Sequence, residues 1–370
     1  MSMRPIRLCL TGNEPRQRYL FEELGHVADV QASVGFDQID PFTKYLAAAL
    51  SFSWPRSEWW ENYHMHPLVQ ARRRKVLLRG MQPYRGEIDA LLMWGSWFQP
   101  FPADRNEVPY FHYIDQSHSL ENLPGERKGR FARRHRAHRL QGECYAASSA
   151  IFTMSQWARQ QTLEAHQVAE DKVIAVGWGP CAVDLSAEPM NQQREPMVLH
   201  ISNDFYRKGI DYLIQTAAKV RAVIPNARFL VVGRDSSGFD VPASSDVEIL
   251  GPIYDKPRLT DMFRRASAFF LPHRFDRSPH VLVEAMSAGL PLVASSQGGA
   301  VEVIGGKDTG FLCQPGAIDE YATALISLLR DADLRNRMGG NGLALMRERY
   351  NWPSIARRIT EVIRRNARIA

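Results

Sequence analysis

Two carboxylates and a pair of adjacent glycines give residues 269–304 the strongest chemical signal in the chain. Asp276 lies in a polar loop, and Glu284 follows eight positions later within the apolar run HVLVEAMSAG. A carboxylate in such a run needs a polar partner, and a ligand hydroxyl is one candidate. Gly298 and Gly299 follow in a second loop, where the missing side chains allow the backbone to come close to a bound group.

The helix that carries Glu284 is expected to begin at a site suited to phosphate. A strand ends near Pro272, and Ser278 followed by Pro279 is typical of an N-cap and a first helical position. The amides of the first turn have no intrahelical partner and lie at the positive end of the helix dipole, which favours a diphosphate. The residues expected around this helix start are Ser278, His280, Val281 and Leu282.

A second group of candidate residues surrounds the end of the predicted strand 197–202. Ser202 and Asn203 are followed by the basic residues Arg207 and Lys208, after which a helix is expected. In open parallel sheets, ligands bind at the carboxyl ends of the strands, so this position suits a ligand. A solvated basic loop is the alternative interpretation.

Strands that alternate with helices organise the second half of the chain, and this pattern predicts a parallel sheet covered on both faces. The first half carries strand-like runs at 6–12, 87–95 and 108–115, and a strand–helix–strand pattern near its end. Residues 41–85 are rich in aromatic and basic side chains, and their pattern predicts no definite structure. The expected fold class is therefore α/β.

A polar stretch without periodicity separates the two halves and is interpreted as a linker. The four expected parts are an N-terminal domain at 1–186, a linker at 187–196, a second domain at 197–350 and a C-terminal helix at 351–370. Asp331 and Asp333 form a DxD sequence between two helical patterns, and we interpret them as acids at a helix start rather than as metal ligands.

Composition and charge narrow the class of protein further. The four cysteines are scattered without a CxxC pair, which argues against a disulfide framework or a zinc site and fits a reducing cytoplasm. The net charge is +6, and basic residues concentrate at 72–75 and 127–139. Such blocks suit an anionic membrane surface, a phosphorylated acceptor or nucleic acid, and a solvated helix face is the alternative. No nucleic-acid-binding motif accompanies them, so nucleic acid is not expected.

The motifs in residues 197–315 resemble those of the retaining glycosyltransferases of family 4, the glycosyl transferases group 1. That family has two acids in an E-x7-E pattern in the donor site of a GT-B fold, in which two Rossmann-like domains face a central cleft. Asp276 and Glu284 take these positions, with aspartate in place of the first glutamate. The RKG sequence at 207–209 is similar to lipopolysaccharide-core members, and surface-polysaccharide enzymes are the nearest in general character. The resemblance also implies a C-terminal helix that crosses back to the first domain.

The resemblance implies a role for each candidate residue of the second domain. Asp276 would contact the donor sugar and Glu284 the nucleotide ribose. Arg207 and Lys208 would neutralise the donor diphosphate as it leaves. The remaining donor-contact positions are Ser202, Asn203, Gly233, Arg234, Tyr254, Ser278, His280, Val281, Leu282, Gly298 and Gly299.

The N-terminal domain is expected to complete the reaction centre and to hold the acceptor. Gly12 and Asn13 follow its first strand, where the resembled family has a loop near the donor phosphates. Asp115 and His118 follow a later strand, at a position where that family has a polar cluster. The sequence leaves open which of the two orients the sugar or the acceptor, and a purely structural histidine is the alternative.

The implied function is transfer of a hexose-type sugar from a nucleotide-sugar donor to a hydroxyl of a glycan, lipid-linked or surface-polysaccharide acceptor, with retention at the anomeric carbon. No metal and no separate cofactor are expected, and the donor base stays open. The alternatives are a GT-B sugar-nucleotide epimerase and a non-catalytic carbohydrate- or membrane-binding protein of the same fold. The expected location is the cytoplasm, with peripheral contact at the inner face of the membrane through residues 72–75 and 127–139.

Overall fold

Two compact units make up the protein. A computed structural model describes residues 4–12, 16–36, 39–52, 63–64, 66–95, 98–101, 108–115, 131–187, 193–236, 238–242 and 246–367. Of these residues, the first unit contains those up to Gly177 together with those from Trp352 onward, and the second unit contains Trp178–Asn351. Within the described ranges, no helix is long and apolar enough to cross a membrane.

The first unit is built on a parallel six-stranded sheet with the strand order β2-β1-β3-β4-β5-β6. Its strands are β1 (Arg7–Thr11), β2 (Asp29–Val34), β3 (Ala90–Trp94), β4 (Tyr110–Ile114), β5 (Ala150–Thr153) and β6 (Val173–Ala175). The strand-like runs predicted in the first half correspond to β1, β3 and β4. Strands β3 and β4 are buried along their whole length, as expected of central strands in a parallel sheet covered on both faces.

Helices of the first unit occupy part of the stretch that the sequence left unassigned. The helices that precede the second unit are α1 (Gln17–Val27), α2 (Pro41–Leu50), α3 (Pro67–Met81), α4 (Phe131–Ala147) and α5 (Gln156–Ala165). Helix α2 begins at Pro41 because Asp40 acts as its N-cap and accepts a hydrogen bond from the amide of Thr43 at 2.9 Å. Helix α3 also begins with a proline at its first position, where no backbone donor is needed.

The second unit repeats the architecture, with the strand order β12-β11-β10-β7-β8-β9. Its strands are β7 (Met197–Ser202), β8 (Arg228–Gly233), β9 (Glu248–Ile249), β10 (Ala268–Leu271), β11 (Leu292–Ser295) and β12 (Gly310–Cys313). Its helices are α6 (Phe205–Lys208), α7 (Ile210–Val223), α8 (Lys256–Arg265), α9 (His280–Ser287), α10 (Ala300–Ile304), α11 (Ile318–Arg330) and α12 (Ala332–Arg349). The strand order reverses between β7 and β10, and such a switch point is where open α/β sheets bind ligands.

The C-terminal helix α13 (Trp352–Asn366) returns to the first unit, as expected, and packs there against α1. Ile355, Ile359 and Ile363 are fully buried and repeat every fourth residue, so that one stripe of the helix faces the core. Asp331 caps α12 by accepting a hydrogen bond from the amide of Leu334 at 2.9 Å. The interpretation of the DxD acids as a helix start is therefore confirmed for Asp331.

The second unit begins earlier than the expected start of the linker. Residues 178–186 belong to it, and three amides of this segment donate hydrogen bonds to side chains of α9. The amide of Ala182 donates to the carboxylate of Glu284 at 2.8 Å, and the amide of Leu185 donates to the hydroxyl of Ser287 at 3.0 Å. This segment thus extends the second unit over one flank of α9.

Candidate active site

Lys208 and Asp276 meet at the switch point of the second sheet. Lys208 ends the short helix α6 that follows β7, and Asp276 lies in the loop that follows β10. The Lys208 ammonium forms an ion pair with Oδ2 of Asp276, and the two side chains are only 9% and 13% exposed. The structure therefore brings together the two sequence motifs that were predicted separately, one acidic and one basic.

The charge state of this pair follows from its surroundings. Burial alone would raise the pKa of the Asp276 carboxyl, but the Lys208 ammonium, with Arg207 as a second cation, holds it well below its usual range. Asp276 is therefore ionised. A diphosphate at this edge of the sheet would compete with the Asp276 carboxylate for the same ammonium group.

Arg207 lies beside the pair and joins the loops that follow β7 and β10. Its Nε atom lies 3.2 Å from Oδ2 of Asp204, and one terminal guanidinium nitrogen donates to the carbonyl of Phe275 at 3.2 Å. Its own carbonyl accepts a hydrogen bond from the amide of Arg274 at 2.9 Å. Arg207 thus contributes a positive charge near Asp276 and also fastens the two loops together.

Arg274 supports this arrangement, and sequence reasoning did not identify it. Its guanidinium makes two hydrogen bonds to the carboxylate of Asp211, at 2.8 and 2.7 Å. It also lies against the rings of Tyr206 and Tyr212, at 4.1 and 4.3 Å from their centroids. Arg274 and Asp211 are 63 positions apart in the chain, so no local pattern could have revealed the contact.

The adjacent glycines approach the backbone around Asp276. Gly298 has a positive φ of 56°, and a Cβ atom at this position would lie 1.9 Å from the carbonyl oxygen of Asp276. The amide of Gly299 donates to the same carbonyl at 3.0 Å. The absence of side chains therefore allows the loop after β11 to pack directly on the loop that carries Asp276.

Glu284 is held by the chain itself. Its side chain is buried in α9, and its Oε1 atom accepts hydrogen bonds from the amides of Ala182 and Cys181 at 2.8 and 3.1 Å. Burial raises the pKa of the Glu284 carboxyl, and the two amide hydrogen bonds oppose that rise. The sequence predicted that this carboxylate needs a polar partner. The structure supplies two backbone amides about 100 positions earlier in the chain, and no local pattern indicated them.

The start of α9 differs by one residue from the expectation. The predicted N-cap role of Ser278 is wrong, because Pro279 occupies that position with ψ of 90° and the helix begins at His280. The first hydrogen bond of the helix runs from the amide of Leu282 to the carbonyl of Pro279 at 3.0 Å. The Ser278 hydroxyl is buried and has no hydrogen-bond partner in the described part of the chain.

Ser202 shares this property at the end of β7. Its hydroxyl is also buried without a hydrogen-bond partner among the residues that the structure describes. Buried hydroxyl groups normally have a hydrogen-bond partner, and a bound ligand could supply one to each of these two predicted contact residues.

His280, the first residue of α9, contacts the segment that precedes the helix in space. Its Nδ1 atom lies 2.8 Å from the carbonyl oxygen of Gly179 and 3.3 Å from the sulfur of Cys181.

Comparison with known proteins gives this site a family context. Residues 185–344 match the family described as Glycosyl transferases group 1. An uncharacterized glycosyltransferase of Methanocaldococcus jannaschii is 24% identical over 364 residues, which cover 91% of this chain and 89% of the relative. The protein carries a glycosyl transferases group 1 domain and is a glycosyltransferase. The phosphatidyl-myo-inositol mannosyltransferase of Mycobacterium leprae is 34% identical over 161 residues, 42% of either chain.

Solved structures of glycosyltransferases share the architecture. The chain matches the sucrose-phosphate synthase of Thermosynechococcus elongatus with a TM-score of 0.66 and 17% identity, over 97% of this chain and 98% of that one. It matches WaaG, a glycosyltransferase involved in lipopolysaccharide biosynthesis, with a TM-score of 0.64 and 14% identity, over 97% and 99%. Two parallel six-stranded sheets with flanking helices confirm the expected GT-B fold.

The other predicted donor contacts of the group 1 domain lie at the end of β8, in the loops that follow β7, β8 and β9, and in α9. Gly233 ends β8, and its amide donates to the carbonyl of Gly251 at 2.9 Å. Asn203, Arg234 and Tyr254 are exposed. Within α9, Val281 is half-buried, whereas the Leu282 side chain is fully buried.

The predicted residues of the first unit are described only in part. Gly12 follows β1, and a Cβ atom there would lie 2.8 Å from Cβ of Trp94. Asp115 directly follows β4 and is half-buried. Asn13 and His118 lie outside the described residues.

The two basic segments lie on helices where they are described. Residues 72–75 belong to α3. Of the segment 127–139, residues 131–139 belong to α4, and residues 127–130 lie outside the described ranges.

Proposed function

We propose that this glycosyltransferase moves a hexose-type sugar from a nucleotide-sugar donor to a hydroxyl of a glycan, lipid-linked or surface-polysaccharide acceptor. The transfer retains the anomeric configuration and uses neither a metal nor a separate cofactor. The observation that carries the proposal is the buried Lys208–Asp276 pair at the switch point of the second sheet. A buried cation at the carboxyl end of the sheet supplies the charge-assisted contact that favours a diphosphate.

The diphosphate is held by charge and by backbone donors. Lys208 supplies an ammonium group whose present partner is Asp276, and Arg207 supplies a second positive charge. The first turn of α9 lies at the positive end of the helix dipole, which favours the negative charge of a diphosphate. The hydroxyls of Ser202 and Ser278, which have no hydrogen-bond partner among the described residues, would gain one from the donor.

Asp276 takes a second role once phosphate has engaged Lys208. Its carboxylate is then released to accept hydrogen bonds from the hydroxyls of the donor sugar. Glu284 binds the ribose through Oε2, while Oε1 stays on the amides of Cys181 and Ala182. In this arrangement, the buried carboxylates of Asp276 and Glu284 both have hydrogen-bond donors in the complex.

The proposed reaction uses these groups in one displacement step. The acceptor hydroxyl attacks the anomeric carbon on the face that the leaving diphosphate occupies, and the bond from that carbon to the phosphate oxygen breaks. A diphosphate oxygen receives the acceptor proton, and Lys208 with Arg207 stabilises the negative charge that develops. Asp115 or His118 of the first unit orients the acceptor or the sugar.

The names of the relatives and of the solved structures support a choice of the first donors and acceptors to test. One relative is named as a phosphatidyl-myo-inositol mannosyltransferase, and WaaG is described as acting in lipopolysaccharide biosynthesis. HepE of Anabaena, a structural match with a TM-score of 0.63 and 16% identity, was solved with UDP. We therefore take UDP-sugars as the first donors to test and a lipid-linked glycan as the first acceptor. The protein would act in the cytoplasm at the inner face of the membrane, which it contacts through residues 72–75 and 127–139.

The test is a calorimetric screen of UDP-, GDP-, ADP- and CDP-sugars on the wild type, Lys208→Met and Lys208→Met/Asp276→Asn. One donor series should bind the wild type, and both variants should lose at least about tenfold in affinity through the lost charge-assisted contact. Lys219→Met is the matched control, because Lys219 lies in the same unit with a side chain that is 52% exposed. A wild type that binds no sugar nucleotide would contradict the proposal.

Three further measurements separate this chemistry from its alternatives. Transfer should continue in excess EDTA, since no metal takes part. The product should keep the anomeric configuration of the donor, as read by NMR. Conversion of the donor into an isomer without any acceptor would instead identify an epimerase.

A further inference from the structure

Helix α2 buries Ala47 and turns its large apolar side chains outward. Ala47 is fully buried, whereas Phe42, Tyr45, Leu46 and Leu50 are between 38% and 76% exposed. These four residues follow the spacing i, i+3, i+4 and i+8, which places them on one face of the helix. Phe52, two positions beyond the last residue of the helix, is also a large apolar residue and is 73% exposed.

This orientation is the reverse of what an amphipathic helix on a globular protein normally shows. A stripe with this spacing usually faces the core, because burying it contributes most of the stability of the helix. Contiguous exposed apolar surface on a protein marks a binding face for another molecule. We call the five residues Phe42, Tyr45, Leu46, Leu50 and Phe52 the α2 apolar face.

The neighbouring helix supplies positive charge. Helices α2 and α3 pack against each other, and an ion pair between Arg72 and Asp40 at 3.3 Å joins them. Neither helix contains an aspartate or a glutamate. Lys75 and Arg79 of α3 are exposed, and with Arg74 and Arg85 they line a cavity of about 960 Å³. The apolar residues that line the same cavity are Ala71, Leu78, Met81, Ile88 and Val108.

We propose that the α2 apolar face docks on an anionic lipid bilayer, whose phosphates are bound by the cations of α3. A bilayer surface offers hydrocarbon and negative charge side by side, which matches the apolar and the basic residues of these two helices. The helix has ten residues and is therefore about 15 Å long, which is about half the thickness of the hydrocarbon core of a bilayer. A helix of this length can lie along the membrane surface but is too short to cross the bilayer. A second copy of the chain is the weaker occupant, because pairing the same face twice would bring the α3 cations of both copies together.

This inference deepens the membrane contact of the proposed function by adding an apolar face that the basic segments alone do not supply. It would bring the first unit, which is proposed to hold the acceptor, to the lipid surface. It does not depend on the donor site, which lies in the other unit, so the two proposals can fail separately.

The experiment is flotation with vesicles of phosphatidylcholine alone and of phosphatidylcholine with 30% phosphatidylglycerol. Wild-type protein should bind the anionic vesicles at low salt and bind neutral vesicles at least tenfold more weakly. Phe42→Ala/Tyr45→Ala/Leu50→Ala should lose at least tenfold in binding, because the variant keeps the buried Ala47 but removes the exposed apolar groups. Lys75→Gln/Arg79→Gln should also bind less, with a weaker dependence on salt.

Two matched variants make the result specific. Phe42→Leu keeps the apolar character and should retain vesicle binding. Val223→Ala/Ile249→Ala removes apolar side chains of the second unit that are 43% and 38% exposed, and this variant should bind like the wild type. Equal binding of the triple variant and the wild type would overturn the inference. A wild type that is dimeric and a triple variant that is monomeric, with no vesicle binding by either, would assign the face to a second copy.

Nucleotide binding on the same samples separates the two proposals. A wild type that binds vesicles but no sugar nucleotide contradicts the proposed donor chemistry alone. One that binds a sugar nucleotide but no anionic vesicle contradicts the α2 apolar face alone.

Discussion

The Oε1 atom of Glu284 lies 2.8 Å from the amide nitrogen of Ala182, a residue 102 positions earlier in the chain. This hydrogen bond and its neighbour from Cys181 fasten residues 178–186 to helix α9. Glu284 therefore has a structural role that is independent of any ligand. Its contribution to donor binding has to be measured with variants that separate the two roles.

Glu284→Ala should lower the free energy of unfolding by about 2–4 kcal/mol, because it removes the acceptor of the Cys181 and Ala182 amides and opens a cavity in the buried part of α9. Glu284→Gln should cost much less, since its amide oxygen can still accept from Ala182 and the buried charge is removed. Urea denaturation gives both values, and calorimetry of sugar-nucleotide binding gives the functional effect. Glu284→Gln should bind the donor more weakly while remaining folded. Equal destabilisation by both substitutions would contradict the structural role of the oxygen.

The Lys208–Asp276 pair should show strong energetic coupling in a double-mutant cycle. Lys208→Met alone should cost about 3–5 kcal/mol of stability, because it leaves a buried carboxylate without its cation. The double variant Lys208→Met/Asp276→Asn should be more stable than Lys208→Met. Lys219 and Asp319 form an exposed pair in the same unit, and a matched cycle on them should give a coupling of at most about 1 kcal/mol. Equal coupling in the two cycles would count against burial as the source of the effect.

Gly298→Ala should destabilise the loop that packs on Asp276. The new Cβ atom would lie 1.9 Å from the Asp276 carbonyl, so one of the two loops has to move. Gly306→Ala is the control, because Gly306 has a similar positive φ of 65° and open space around it. We expect about 1 kcal/mol of strain for Gly306→Ala and clearly more for Gly298→Ala. Thermal unfolding measures the difference, and identical shifts would contradict the close approach of the loops.

Two buried histidines should make the protein less stable at acidic pH. Burial lowers the pKa of His112 and of His200 to about 4 each, below the unfolded value of about 6.5. The unfolded chain therefore binds more protons in this window, and stability falls as the pH drops from about 6.5 towards 4. Each histidine should contribute about 3 kcal/mol to that loss.

The measurement is the free energy of unfolding between pH 7 and pH 4.5, by urea denaturation. Asparagine can replace the donor that His200 directs to the carbonyl of Phe270 at 2.8 Å. His200→Asn should therefore show a shallower pH dependence than the wild type. The same slope in both proteins would rule out protonation of His200 as a cause.

Local patterns in the sequence were enough to predict much of the framework. Apart from β2, the strands of both sheets were expected and are present, as are the return of the C-terminal helix and the cap at Asp331. Strand and helix periodicity and capping depend on residues within one or two turns of each other, so a single sequence contains the information. The residue types of the candidate site, a carboxylate and a basic pair at strand ends, were recognisable for the same reason.

Only the tertiary structure decided how these residues are paired and which surfaces are left exposed. Lys208 meets Asp276 across 68 positions because β7 and β10 are neighbours in the sheet, and Glu284 meets Ala182 because residues 178–186 fold over α9. The outward orientation of the large residues of α2 depends on how this helix packs against α3, so the helical spacing alone could not reveal it. Charge pairing and burial depend on distances in space, and a sequence read along the chain records only local neighbours.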